Sequence, residues 1–190
     1  MARIIFGILG LVLLGDIIGA VMYLRQSPDM QANLTQYMAT GEALSFFQIF
    51  WQQFIYQLTI WTMGLTVIGN IVNLFLIFVR GVSAGFNLAA LVQGLGSGGT
   101  GMIILWLIQY MFILFTTILS VYFSVRFGYL VIKSLLKKKY KLIKRHLKLY
   151  ATQFVIIIML TLFTSMLSAV TTPMIQNRMT EAHIVSVIEG

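Results

Sequence analysis

The sequence predicts an all-α, polytopic membrane protein with about five transmembrane helices and amphipathic helices at the membrane interface. Three observations carry this. The chain is 59% hydrophobic and only 9% charged, where a soluble domain carries about 25% charged residues. Apolar runs of spanning length recur along it, at about 20 residues for about 30 Å of hydrocarbon. Its net charge of +8 is concentrated, with nine cations and no acid between Arg126 and Lys148.

The first span is expected at residues 4–24, interrupted only by Asp16. Arg3 gives it a basic start, but the apolar run is long and no small-residue cleavage site follows, which favours an uncleaved anchor over a signal peptide. Residues 25–45 are polar and form an outer loop. Leu44, Phe47, Trp51, Phe54 and Leu58 then recur at helical spacing beside Ser45, Gln48 and Gln52. This stripe predicts an interfacial helix over 42–57, rich in aromatic residues. Residues 58–79 follow as the second span, 82–98 as a short third, 102–125 as the fourth and 149–171 as the fifth. The tail, 173–190, is polar enough to lie outside the bilayer. The whole chain, 1–190, reads as one transmembrane domain.

Charge sets the expected orientation, because cations in short loops stay cytoplasmic. The basic segment 126–148 is placed inside, and Arg80 with it. The amino terminus is then cytoplasmic, and the carboxyl terminus and the 25–45 loop are extracytoplasmic, in a bacterial cell membrane. Within the basic segment Leu136, Tyr140, Ile143, Leu147 and Tyr150 form an apolar stripe, and Lys137, Lys141, Lys144 and Lys148 a cationic one. This predicts an amphipathic helix on the cytoplasmic face. Its lysines meet anionic membrane lipid at about 1 kcal/mol each. No nucleic-acid partner is expected, because no recognition motif accompanies the cations.

The glycine-rich stretch from Arg80 to Gly101 suits neither a nucleotide nor a catalytic loop. A P-loop needs Lys-Ser or Lys-Thr after its last glycine, whereas Gly101 precedes Met-Ile-Ile-Leu-Trp. A dinucleotide fingerprint needs a preceding strand and a later acid, and both are missing. Ser97 has no histidine in a span to activate it, since the histidines are His146 and His183. Asp16, Asp29, Glu42, Glu181 and Glu189 show no metal-ligand spacing, and there is no cysteine. No catalytic residue, cofactor site or metal site is therefore expected, and the protein reads as a non-enzyme. What remains is helix packing. Gly81 and Gly85 put small residues on one helix face, Gly15 and Gly19 repeat the spacing, and Asn70 and Asn73 can hydrogen-bond between helices. Asn87 and Gln93 extend the polar set. Asp16, the one acid in a span, is expected to snorkel or to pair within the bundle.

The run from Phe54 to Val92 resembles the core of the stage II sporulation protein M (SpoIIM) family. Gln57, Gly64, Gly69, Gly81 and Gly85 stand at that family's amide and glycine places, while Gln57 and Arg80 replace asparagine. The resemblance implies a non-enzymatic membrane scaffold. It would anchor and localise SpoIIP-like and SpoIID-like peptidoglycan-remodelling partners during forespore engulfment in sporulation. A second copy of the chain is a further candidate partner. The rival expectation is a small transport or channel subunit, and it requires Asn70, Asn73, Asn87 and Gln93 to face one continuous wet cavity.

Overall fold

A computed structural model describes residues 2–40, 44–95, 99–136 and 140–189. Among these residues there are six helices: α1 (Ala2–Leu24), α2 (Pro28–Thr40), α3 (Phe46–Met63), α4 (Val67–Leu95), α5 (Thr100–Leu136) and α6 (Tyr140–Glu189). No strand occurs among the described residues. Four helices among the described residues are long and apolar enough to cross a membrane, at Ile4–Leu24, Ile68–Leu95, Thr100–Leu136 and Ile143–Thr180.

Local chemistry sets the element ends. Ser27 caps α2 by accepting from the Met30 N–H, with Pro28 in the first helical position and Asp29 in the first turn, each suited to a helix start. The stretch expected as an outer loop is thus largely a helix. Gln31 turns back and donates to the carbonyls of Tyr23 (3.2 Å) and Gln26 (3.2 Å). This satisfies groups that the end of α1 leaves open. Ser45 and Gln48 form a reciprocal capping box at the start of α3.

The expected interfacial helix 42–57 and the span 58–79 are divided differently. α3 runs on past residue 57 to Met63, a turn occupies 64–66, and α4 begins at Val67. Thr66 caps it by accepting from the Gly69 N–H at 2.9 Å. Residues 82–98 are then no separate span, since α4 is continuous to Leu95. Gly81 and Gly85 do not break it, because a helical glycine costs only about 1 kcal/mol and both face a neighbouring backbone. Arg80 consequently lies near the middle of α4 and not at an inner end. Glu42, Ser97 and Gly98 lie outside the described residues.

The basic segment 126–148 is likewise divided, between the end of α5 and the start of α6. Phe127 stacks on Tyr150 at 4.4 Å between ring centroids, which zips the two helices into a hairpin. The predicted tail continues α6 to Glu189 through Pro173. The turn beyond this proline is held by Ile175 and Met179, which pack with Leu91 and Leu95 of α4.

Contacts fix the relative directions. Tyr56 donates to the Leu76 carbonyl and Asn73 to that of Ile60, so α3 and α4 are antiparallel. Gln109 meets Ser168, and Phe112 meets Phe163, so α5 and α6 are antiparallel. α1 runs parallel to α4, with Val12 against Gly81 and Asp16 against Gly85. α3, 18 residues long, thus lies side by side with α4, α5 and α6. Its length, about 27 Å, is close to the hydrocarbon thickness. Its glutamines lower its apolarity, and the buried Gln57 finds partners inside the bundle. The main core joins Ile8 and Val12 to Ile60, Ile77, Leu114 and Val121. α2 covers the far end, where Met38 packs on the second cluster formed by α4 and α6.

Candidate functional site

Four glycines sit where α1 meets α4. A Cβ on Gly15 would lie 2.5 Å from the Phe78 carbonyl oxygen, and one on Gly81 2.6 Å from that of Val12. Cβ atoms on Gly19 and Gly85 would strike the carbonyl oxygens of Val82 and Asp16. All four obstacles are backbone, so no side-chain rearrangement makes room. Gly64 faces different neighbours, the Ser124 and Tyr150 hydroxyls, and Gly69 faces the turn before α4.

A chain of amide and hydroxyl contacts ties α3, α4, α5 and α6. Ser124 donates to Asn70 at 2.8 Å and accepts from Asn73 at 2.7 Å. Asn73 also donates to the Ile60 carbonyl at 2.9 Å. Ser120 donates to Gln57 at 2.6 Å, and Thr164 to Gln53 at 2.9 Å. Gln109 donates to Ser168 at 2.9 Å and accepts from Thr171. Each contact spans two helices, so the polar groups act as cross-links. Beside them runs an aromatic ladder. Tyr150 stacks on Trp61 (5.3 Å), and Trp61 on Phe154 (4.6 Å). The Tyr150 hydroxyl donates to the Trp61 carbonyl.

Two charged residues lie mid-bundle. The Asp16 carboxylate accepts from the Tyr110 hydroxyl at 3.0 Å. The Arg80 guanidinium lies over the Tyr56 ring, 4.4 Å from its centroid, a cation–π placement that keeps the charge within the bundle. Sequence reasoning left both tyrosines unassigned, because each sits in an aromatic-rich run with no local signal. It also passed over Gln53 and Gln109. A glutamine within an apolar run is the cue that could have marked them.

The four amides singled out in the sequence do not share one space. Asn70 and Asn73 meet at Ser124, and Gln93 bonds Gln31 at the far end. Asn87 lines a cavity of about 750 Å³ between α2, α4, α5 and α6. Of the four lysines, Lys144 and Lys148 are exposed on α6. Lys137 lies outside the described residues, and Lys141 is helical in backbone. Among the described residues no three His, Cys, Asp or Glu side chains gather as a metal site.

Apolar helices of spanning length, glycine-mediated backbone contacts and cross-helix amides together define a polytopic helical membrane protein. The family model of Stage II sporulation protein M, SpoIIM, matches residues 4–172. The chain belongs to that family, and so is a sporulation-related membrane protein. No curated protein and no solved structure matches it.

Proposed function

We propose that the protein is a non-enzymatic scaffold in the engulfment step of sporulation, which anchors and localises SpoIIP-like and SpoIID-like peptidoglycan-remodelling partners. Family membership supports the process. The observation that carries the scaffold reading is the division of labour among side chains. The amides of Gln53, Gln57, Asn70, Asn73 and Gln109 join helices to one another, while large aromatic groups remain exposed at several places, among them the end that carries α2. There Phe47 is 67% and Trp51 50% exposed, at the start of α3 and next to α2 in the chain. Exposed aromatic anchors are the residues from which binding surfaces are built.

In this reading α2 and the start of α3 face the extracytoplasmic wall, and the basic hairpin faces the cytoplasm. The transport reading has less support, since the amides it needs face separate places.

The test is co-purification of the membrane-embedded chain with the wall hydrolases encoded in the same genome. Trp51→Glu should reduce recovery of the partners while the bundle keeps its detergent stability. Unchanged recovery from Trp51→Glu together with Phe47→Glu would rule out this aromatic end as the anchoring surface.

A further inference from the structure

The cavity of about 750 Å³ differs in kind from the rest of the interior. Elsewhere Gln53, Gln57, Asn70 and Asn73 are engaged between helices. Here four helices each bring an uncommitted polar group: Tyr37 from α2, Asn87 from α4, Trp106 from α5 and Thr172 from α6. Among the described residues, neither the Asn87 amide nor the hydroxyls of Tyr37 and Thr172 has a protein partner. The same holds for the Trp106 indole N–H. Asn87 lies eight residues before the end of α4, about 12 Å down the helix. An exposed amide at that depth is costly against lipid and calls for a polar occupant.

The lining specifies the chemistry of that occupant. Among the described residues none that lines the cavity carries a charge, so phosphate and carboxylate groups meet no counter-charge from them. The polar groups are neutral. The asparagine amide and the hydroxyls both donate and accept, and the indole donates only. Between them lie apolar surfaces, Leu91, Ile175 and Met179. The volume is that of a small-molecule site, about 300–1,000 Å³. A pyranose offers the matching pattern, hydroxyls around its edge and C–H groups on its faces.

We propose that this cavity is a binding site for an uncharged, hydroxyl-rich ligand, a saccharide unit, with Asn87 and Thr172 as its hydrogen-bonding residues and Trp106 as one wall. The site stands on the geometry of the cavity and not on the scaffold reading. Partner capture by the aromatic end and saccharide binding here fail or succeed separately.

The experiment uses the full chain in phosphatidylcholine nanodiscs, prepared without sugar-based detergents. The probe is the uncharged β-linked N-acetylglucosamine trisaccharide, followed by calorimetry and ligand-observed NMR. Saturable binding of one trisaccharide per chain is expected. Asn87→Ala and Thr172→Val should each weaken it about tenfold, the scale of one lost hydrogen bond, and Lys144→Ala should leave it unchanged. Asn87 is exposed, so its truncation spares the packing. Absence of saturable binding up to about 10 mM, a limit weaker than any useful recognition, would overturn the proposal. So would binding that both variants leave intact, or equal binding of a neutral acetylated tripeptide amide.

Discussion

Asn73 is fully buried, and its amide nitrogen reaches two helices at once. Its Oδ1 is buried without a protein partner, as is Trp61 Nε1. The two orphans have opposite consequences. Asn73→Ala removes two interhelical bonds, each worth about 0.6 kcal/mol and at most about 1.7, and leaves the Ile60 carbonyl with only the Gly64 N–H. Trp61→Phe removes an N–H that bonds to nothing and keeps a ring between Tyr150 and Phe154. Thermal unfolding in detergent should show the asparagine variant destabilised by about 1–3 kcal/mol, and the tryptophan variant less affected. A larger loss from Trp61→Phe would contradict the contacts described for both. Asparagines one turn apart were legible in the sequence as a pair. Their shared partner, Ser124, was not, because it lies 51 residues away from Asn73 in a run with no distinguishing pattern.

At the scale of elements the glycines separate into those that meet a neighbour and those that do not. Nothing lies within 4 Å of a Cβ built on Gly7, whereas one on Gly85 strikes the backbone of α1. Gly7→Ala should therefore be neutral or stabilising by about 0.5–1 kcal/mol, the ordinary helix-propensity gain. Gly85→Ala must push α1 and α4 apart and should lower the unfolding temperature clearly. Equal behaviour of the two variants would remove the close approach from the account. The spacing of Gly15 with Gly19 and of Gly81 with Gly85 was readable in advance, but the boundaries of α3 and α4 were not. An apolar run from Phe46 to Val79 has no internal composition break. The turn at 64–66 is fixed by Thr66 capping and by Gly64 fitting under Ser124 and Tyr150, both matters of tertiary contact. Arg80 suggested a helix end because cations usually lie there. The Tyr56 ring face, which lets it stay mid-helix, comes from another element.

The whole molecule has two unlike ends. One carries α2, the start of α3 and the end of α6, with Asp29 in the first turn of α2. The other is the α5–α6 hairpin, with Lys133, Lys144, Arg145 and Lys148 exposed. α5 has 37 residues, about 55 Å, so it outruns the hydrocarbon layer by about 25 Å, and the cations ride on the excess. Single cysteines test which end is inside, and the chain has no competing thiol. In intact cells Asn33→Cys should react with an impermeant thiol reagent, and Lys144→Cys only after the membrane is opened. The reverse labelling would invert the proposed orientation. Membrane class, the helical fold and the basic end all followed from composition and charge. The helical hairpin shape of that end did not, since Phe127 stacking on Tyr150 is invisible in a local stripe.

The parallel contact of α1 with α4 also has a consequence for biosynthesis. Residues that face each other across this contact, Val12 with Gly81 and Asp16 with Gly85, are about 70 positions apart. At about 5–20 residues per second, the ribosome needs about 4–14 s to make the chain between them. For that interval the first helix waits in the bilayer with Gly15 and Gly19 uncovered and with Asp16 lacking its Tyr110 partner, which is made later still. A helix in that condition needs temporary shelter. The insertion machinery, or a helix of another protein, must hold α1 until its permanent neighbour has been made.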